Sequence, residues 1–129
     1  MKAIDTNVVV RYLVGDEPRQ AQAARRLIEG EAVWLGLTVL LEAMWVLESA
    51  YGFAPAAVAE GIELFLGLPT VHVECAPQVA RALQAQRAGV DCADALHVAC
   101  GTDAASSFAT FDRQLARACR GLGRIELLG

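Results

Sequence analysis

Four short apolar runs, Lys2–Ile4, Ala32–Leu35, Thr70–Val73 and Ser107–Phe111, recur along the chain with one or two helical stretches between successive runs. Strands that alternate with helices in this way join parallel neighbours, because a parallel pair needs a crossover of about a dozen residues or more whereas a tight turn joins only antiparallel strands. The expected fold is therefore α/β, with a mostly parallel central sheet of four to five strands covered on both faces by helices. Arg124–Leu127 is the candidate fifth strand, at an edge.

The helices between these runs carry their own start and stop signals. Thr6 or Asn7 can cap Val8–Val14, and Pro18 opens a helix to about Glu29 whose apolar side is Ala21, Ala24, Leu27 and Ile28, with Gly30 as its stop. Thr38 is placed to cap a helix to about Ser49, and Pro55 and Pro77 to open helices to about Leu66 and Arg87. Asp91 heads a helix to about Cys100, with Asp94 three residues on as in an acidic capping box, and Asp112–Cys119 is the last helix. There is no linker, repeat or low-complexity tract, so residues 1–129 read as a single domain. A chain of this length hides roughly two-thirds of its unfolded surface, enough for a core without disulfide or metal staples.

Composition narrows the function classes. The net charge of −4 argues against a broad basic field for nucleic acid, yet ten of the eleven basic residues are arginine, the better bidentate partner for phosphate. Any polyanion must then meet local arginines and bound cations. Glu42, Glu60, Glu63 and Glu74 interrupt the most apolar stretches, so no run reaches the ~18 residues of a transmembrane helix. Asp5 stands where a secretory peptide needs an apolar segment, which makes the cytosol the default address. Cys75, Cys92, Cys100 and Cys119 show neither CxxC spacing nor the density of a disulfide scaffold and read as reduced, mostly buried small hydrophobes. Trp34, Trp45 and the four phenylalanines sit in apolar patterns and read as core.

The informative residues are acids in apolar surroundings. Asp5 follows the first strand and Asp112 ends the fourth, both at the carboxyl edge where parallel sheets place their ligand sites, although each would serve equally as a helix cap. Glu42 lies within Val39–Leu47, a segment apolar nearly all round and hence expected to be buried, where a carboxylate needs a cation, a salt bridge or a proton. Glu48, roughly 120° further round the helix, is expected on the solvated side. Asp91 and Asp94 are one turn apart, with Asp94 favoured as the functional member and Asp91 as cap or auxiliary. Four carboxylates meeting at one sheet edge would repel one another strongly, and the natural compensator is a hard divalent cation such as Mg²⁺ or Mn²⁺, which prefers oxygen ligands. No Cys or His cluster has zinc spacing, and His72 and His97 read as core or surface residues.

Asp5-Thr6-Asn7 after the first strand, Glu42 in an apolar helix, Asp94-Ala95-Leu96 opening a later helix and Thr110-Phe111-Asp112 ending a strand resemble the PIN-domain signature. Spacing and size are most similar to VapC-type ribonuclease toxins of toxin–antitoxin pairs, and the resemblance covers essentially the entire chain. It implies a PIN-like three-layer α/β/α sandwich and a Mg²⁺- or Mn²⁺-dependent endoribonuclease. In that family picture Asp5, Glu42, Asp94 and Asp112 form the acidic, metal-holding pocket, with Thr6, Asn7 and Thr110 lining or supporting it. Whether Asp91 also reaches the metal stays open. The resemblance further implies a homodimer and a cognate VapB-like antitoxin that covers the groove and inserts a basic side chain among the acids.

Hydrolysis by in-line attack of water would leave 5′-phosphate and 3′-hydroxyl ends, whereas attack by the RNA's own 2′-hydroxyl would leave a cyclic phosphate. Arg11, Arg113 and Arg117 are candidates for phosphate contacts, against the plainer expectation of solvated helix faces. Two other functions compete. An aspartyl-phosphate phosphatase would use Asp5 as nucleophile, but its haloacid-dehalogenase-like form wants an acid two positions on, where this chain has Asn7. A non-catalytic α/β interaction module would use the apolar helices for partner binding.

Overall fold

Each apolar run becomes a strand, though a shorter one than its sequence. The computed structural model describes residues 1–129 in the order β1 (Lys2–Ala3), α1 (Thr6–Val14), α2 (Pro18–Gly30), β2 (Val33–Leu35), α3 (Leu37–Ser49), α4 (Pro55–Leu66), β3 (Val71–Val73), α5 (Ala76–Arg87), α6 (Cys92–Ala104), β4 (Phe108–Thr110), α7 (Arg113–Ala118), a 3-10 turn at Arg120–Leu122, and β5 (Ile125–Leu127). All strand pairs are parallel. The five strands form two hydrogen-bonded ladders, β1-β2-β3 and β4-β5, where one sheet of four to five strands was expected. No helix is long and apolar enough to cross a membrane. The chain divides into two compact units, Met1–Ala76 and Pro77–Gly129.

In the first unit β2 is the central strand, pairing Trp34 with Ala3 on one side and with His72 on the other. Val33 and Leu35 are fully buried, but Trp34, between them, is 38% exposed, because alternation along a strand sends successive side chains to opposite faces. Helix α1 packs against α2 and α3, and α3 against α4. Tyr12 meets Phe65 across α1 and α4 with ring centroids 5.5 Å apart and planes tilted by 60°. Asp5 caps α1, its carboxylate accepting the Thr6 N–H at 2.8 Å, so of the caps the sequence offers here Asp5 serves rather than Thr6 or Asn7. Gly15, at φ 72°, ends α1 in the left-handed conformation that glycine adopts without strain.

Helix α3 corrects two expectations. It starts at Leu37 rather than after Thr38, and its N-cap, Gly36, has no side chain to offer. Instead Glu74, just past β3, reaches across to accept the Leu37 N–H at 2.9 Å. The buried stripe of α3 is Leu40, Ala43, Met44 and Leu47, at the i, i+3, i+4, i+7 spacing of one helix face. Glu42 falls outside it and is exposed, not buried, and so is Trp45 at 66%. Glu48, expected on the solvated side, is the half-buried acid of the pair. A helix apolar nearly all round gives no periodicity from which to tell these faces apart.

In the second unit β4 and β5 pair Phe108 with Ile125 and Thr110 with Leu127. Behind them Val98, Leu115 and Cys119 form a buried cluster against Val90, Phe108, Leu122 and Ile125. Helix α6 continues through Gly101 to Ala104, four residues past the expected end, with the Thr102 hydroxyl donating to the Val98 carbonyl at 2.7 Å. Gly101 is held there by packing, since a Cβ would stand 3.0 Å from the Phe108 ring. Among the aromatic residues expected in the core, Phe65 is buried and Phe108 half-buried, whereas Phe53 and Phe111 are exposed with the two tryptophans. All four cysteines are free, with Cys92 and Cys119 buried, Cys100 half-buried and Cys75 exposed, the last contrary to expectation.

Candidate active site

Each unit assembles its own group of predicted site residues. In the first, β1 ends at Ala3 and the Ile4 N–H still bonds to the Trp34 carbonyl at 3.0 Å, which fixes where the chain turns into α1 and so where Asp5 stands. Thr6, the first helical residue, is buried at 6% exposure and uses both its donors on acids. Its N–H goes to Asp5 and its hydroxyl donates to Glu42 on α3. Two carboxylates distant in sequence are thereby tied to one residue, with Asp5 and Glu42 themselves exposed to solvent. Asn7, also exposed, lines a shallow groove with Arg11 and Gln20.

Arg11 is not a free phosphate ligand. Its Nε donates to Gln20 at 2.7 Å and its terminal nitrogen to Tyr51 at 3.0 Å, and that nitrogen lies 3.5 Å from Asp16, which also accepts the Tyr51 hydroxyl at 2.8 Å. This is a closed network within the first unit.

In the second unit Asp91, Asp94 and Asp112 act on one another. Asp91 caps α6, accepting the Asp94 N–H at 3.0 Å, and Asp112 caps α7, accepting the Leu115 N–H at 3.0 Å. The Thr110 hydroxyl oxygen accepts the Asp112 N–H at 3.0 Å, so Thr110 sets the backbone that presents Asp112. Asp94, half-buried one turn into α6, has its carboxyl pKa pushed above the ordinary carboxylate range. Burial is the main cause, followed by the charges of Asp91 and then Asp112, with His97 opposing weakly. The same three acids, after burial, hold the Cys119 thiol up in the protonated form, so it offers neither a thiolate ligand nor a nucleophile. His72 and His97 are both exposed.

The chain matches the PIN domain family over residues 2–121. It is a member of that family. The α/β architecture with its parallel sheet accords with a PIN-like sandwich, and PIN domains are typically nucleases that use divalent metal ions. No curated protein matches the chain.

The donors in this PIN domain suit such an ion. They are carboxylate and hydroxyl oxygens, as Mg²⁺ and Mn²⁺ prefer. In neither unit are three His, Cys, Asp or Glu side chains drawn together tightly enough to hold an ion by protein ligands alone. Asp5, Asp91 and Asp112 each spend one acceptor on a helix N–H and keep others for a ligand, since an ionised carboxylate has about four lone-pair sites. Capping and metal binding are compatible roles for one side chain.

Proposed function

We propose that this PIN domain is a Mg²⁺- or Mn²⁺-dependent endoribonuclease of VapC type, acting in the cytoplasm as the toxin of a type II toxin–antitoxin pair. The observation that carries the proposal is the gathering of carboxylates within each unit: Thr6 ties Asp5 to Glu42, and the half-buried Asp94, whose pKa is raised chiefly by burial, also feels the charges of Asp91 and Asp112.

Asp5 and Glu42 of the first unit and Asp94 and Asp112 of the second are the proposed ligands, with Asp91 as an auxiliary to Asp94. A bound divalent ion would shield phosphate charge and acidify water for in-line attack on the phosphodiester bond. Thr6 holds Glu42 by its hydroxyl and Asp5 by its N–H, and Thr110 orients Asp112 through the Asp112 N–H. These contacts fix carboxylate positions before substrate arrives, so less ordering is left for the reaction itself.

A homodimer and a VapB-like antitoxin are the proposed partners. Trp45 on α3 and Leu64 on α4 are 66% and 71% exposed, apolar area of the kind buried on assembly.

The test is cleavage of structured and single-stranded RNA with Mg²⁺, Mn²⁺ or EDTA, followed by analysis of product ends. Metal-dependent products with 5′-phosphate and 3′-hydroxyl ends support the proposal. Cyclic phosphate ends, or full activity in excess EDTA, overturn it.

A further inference from the structure

Outside the acidic residues, the second unit carries a concentration of the opposite charge. Four of the chain's eleven basic residues and one of its fifteen acids fall in residues 113–129, which leaves that stretch at +3 while residues 1–112 stand at −7. Three of these arginines, Arg113 and Arg117 of α7 and Arg120 of the 3-10 turn, line one concavity whose floor includes Gly123, Ile125 and Leu127. All three are exposed, and none takes part in any of the chain's salt bridges. Arg113 and Arg117 are four residues apart on a helix, where like charges are neighbours and mildly repel. Three unpaired guanidinium groups around one hollow are electrostatically unfavourable unless an anion occupies it.

We propose that Arg113, Arg117 and Arg120 form a seat for the phosphodiester backbone of single-stranded RNA, separate from the acids and serving to bring substrate to them. The inference rests on the ribonuclease reading, which it deepens. An RNA backbone fits the hollow better than an acidic peptide for two reasons. Guanidinium forks match phosphate oxygens bidentately, and Arg113 directly follows Asp112, so one wall of the hollow adjoins a proposed metal ligand along the chain. The lining includes no aromatic ring on which a base could stack. The seat therefore contributes affinity without base preference, and any sequence choice is made elsewhere. It also explains how a chain of net charge −4 engages a polyanion, through a local patch rather than an overall field.

The test is fluorescence anisotropy of the full chain with a labelled short single-stranded RNA in EDTA, which removes cleavage, over a series of salt concentrations. The double variant Arg117→Gln with Arg120→Gln is compared with Arg19→Gln and Arg26→Gln, which takes the same charge from α2. The expected result is a loss of about tenfold in affinity for the first variant, with its salt slope flattened by about 1.4, while the α2 variant binds like the parent protein. Arg117→Lys with Arg120→Lys, which keeps the charge, should keep the slope. Equal binding by both glutamine variants overturns the proposal. So does a poly-glutamate probe that binds the parent and is lost with Arg117 and Arg120 while RNA affinity is unchanged, since the hollow would then belong to an acidic protein. Arginine-dependent RNA binding without metal-dependent cleavage supports the seat and removes the ribonuclease reading. Cleavage with an unchanged KM in the Arg117/Arg120 variant removes the seat and leaves the ribonuclease.

Discussion

The hydroxyl of Thr6 donates a hydrogen bond to the carboxylate of Glu42 across 36 positions of chain, and it does so from a buried site at the first residue of α1. Glu42 itself is exposed, so without this bond its flexible side chain would be free to sample many rotamers. Thr6 is thus a positioning residue: it orders a proposed metal ligand without needing to touch substrate.

Thr6→Val keeps the shape of the side chain and removes the donor. It should lower metal-dependent RNA cleavage by about 10- to 100-fold, the usual effect of losing an outer-shell partner, and Thr6→Ser should restore most of it. Cleavage assays at several Mn²⁺ concentrations check this, because a displaced Glu42 shows as weakened metal dependence, which a merely structural defect would not produce.

Asp94→Asn should stabilise the metal-free protein at neutral pH while abolishing cleavage. The folded-state pKa of Asp94 lies above its unfolded value, so above that folded pKa the ionised carboxylate is a net cost to folding. As pH falls through the folded pKa the native state takes up the proton first and the cost disappears. Thermal melts in EDTA should therefore place the Asn variant above the parent at neutral pH, with the gap closing as the solution is acidified. A gap that widens on acidification would contradict this account.

Asp5 and Asp112 have two jobs, as helix caps and as proposed ligands, and two substitutions separate them. Asn caps as well as Asp, so Asp5→Asn and Asp112→Asn should leave stability within a few tenths of a kcal/mol while removing cleavage. Asp5→Ala and Asp112→Ala should lose cleavage and also about 1 kcal/mol of stability. Denaturant midpoints read beside activity distinguish the cases.

Glu74 replaces the cap that Gly36 cannot provide at the start of α3. Glu74→Ala should cost about 1 kcal/mol and fray the helix that carries Glu42, whereas Glu74→Gln keeps an acceptor oxygen and most of the stability. Hydrogen exchange at the Leu37 amide is the direct measurement, with faster exchange expected in the Ala variant alone.

Gly123 is required by packing. A Cβ there would run into the Thr102 side chain, whose hydroxyl is already committed to the Val98 carbonyl. Gly123→Ala should destabilise the protein by about 1–3 kcal/mol, the range for inserting a group into filled space, and Thr102→Ala should recover part of the loss. A double-mutant cycle of unfolding free energies checks the coupling.

Much of this was legible in residue order. The alternation of apolar runs with capped stretches located all five strands and seven helices, since each start or stop signal acts within a turn of chain. The cap of α6 at Asp91 was visible for the same reason, as was the placement of Asp5 and Asp112 at strand ends. The orientation of Glu42 and Trp45 was not, because Val39–Leu47 is apolar at nearly every position and the stripe of Leu40, Ala43, Met44 and Leu47 is chosen by what α3 packs against. For Arg11 the residue order offers a phosphate contact or a solvated helix face, and nothing local announces that Gln20, Asp16 and Tyr51 surround it.

The order of residues by itself determined the alternating parallel architecture, the local caps such as Asp91 on α6, and the set of acids available for chemistry, because turns, local caps and periodicity are short-range physics. Tertiary structure decided which acids are drawn together and by what. Thr6 reaching Glu42, Glu74 capping a helix it does not belong to, Asp94 feeling Asp112, and Arg120 joining Arg113 and Arg117 around one hollow each depend on groups brought close by packing. Hydrogen bonds and electrostatic interactions act through space, so their partners are set by the fold and not by position along the chain.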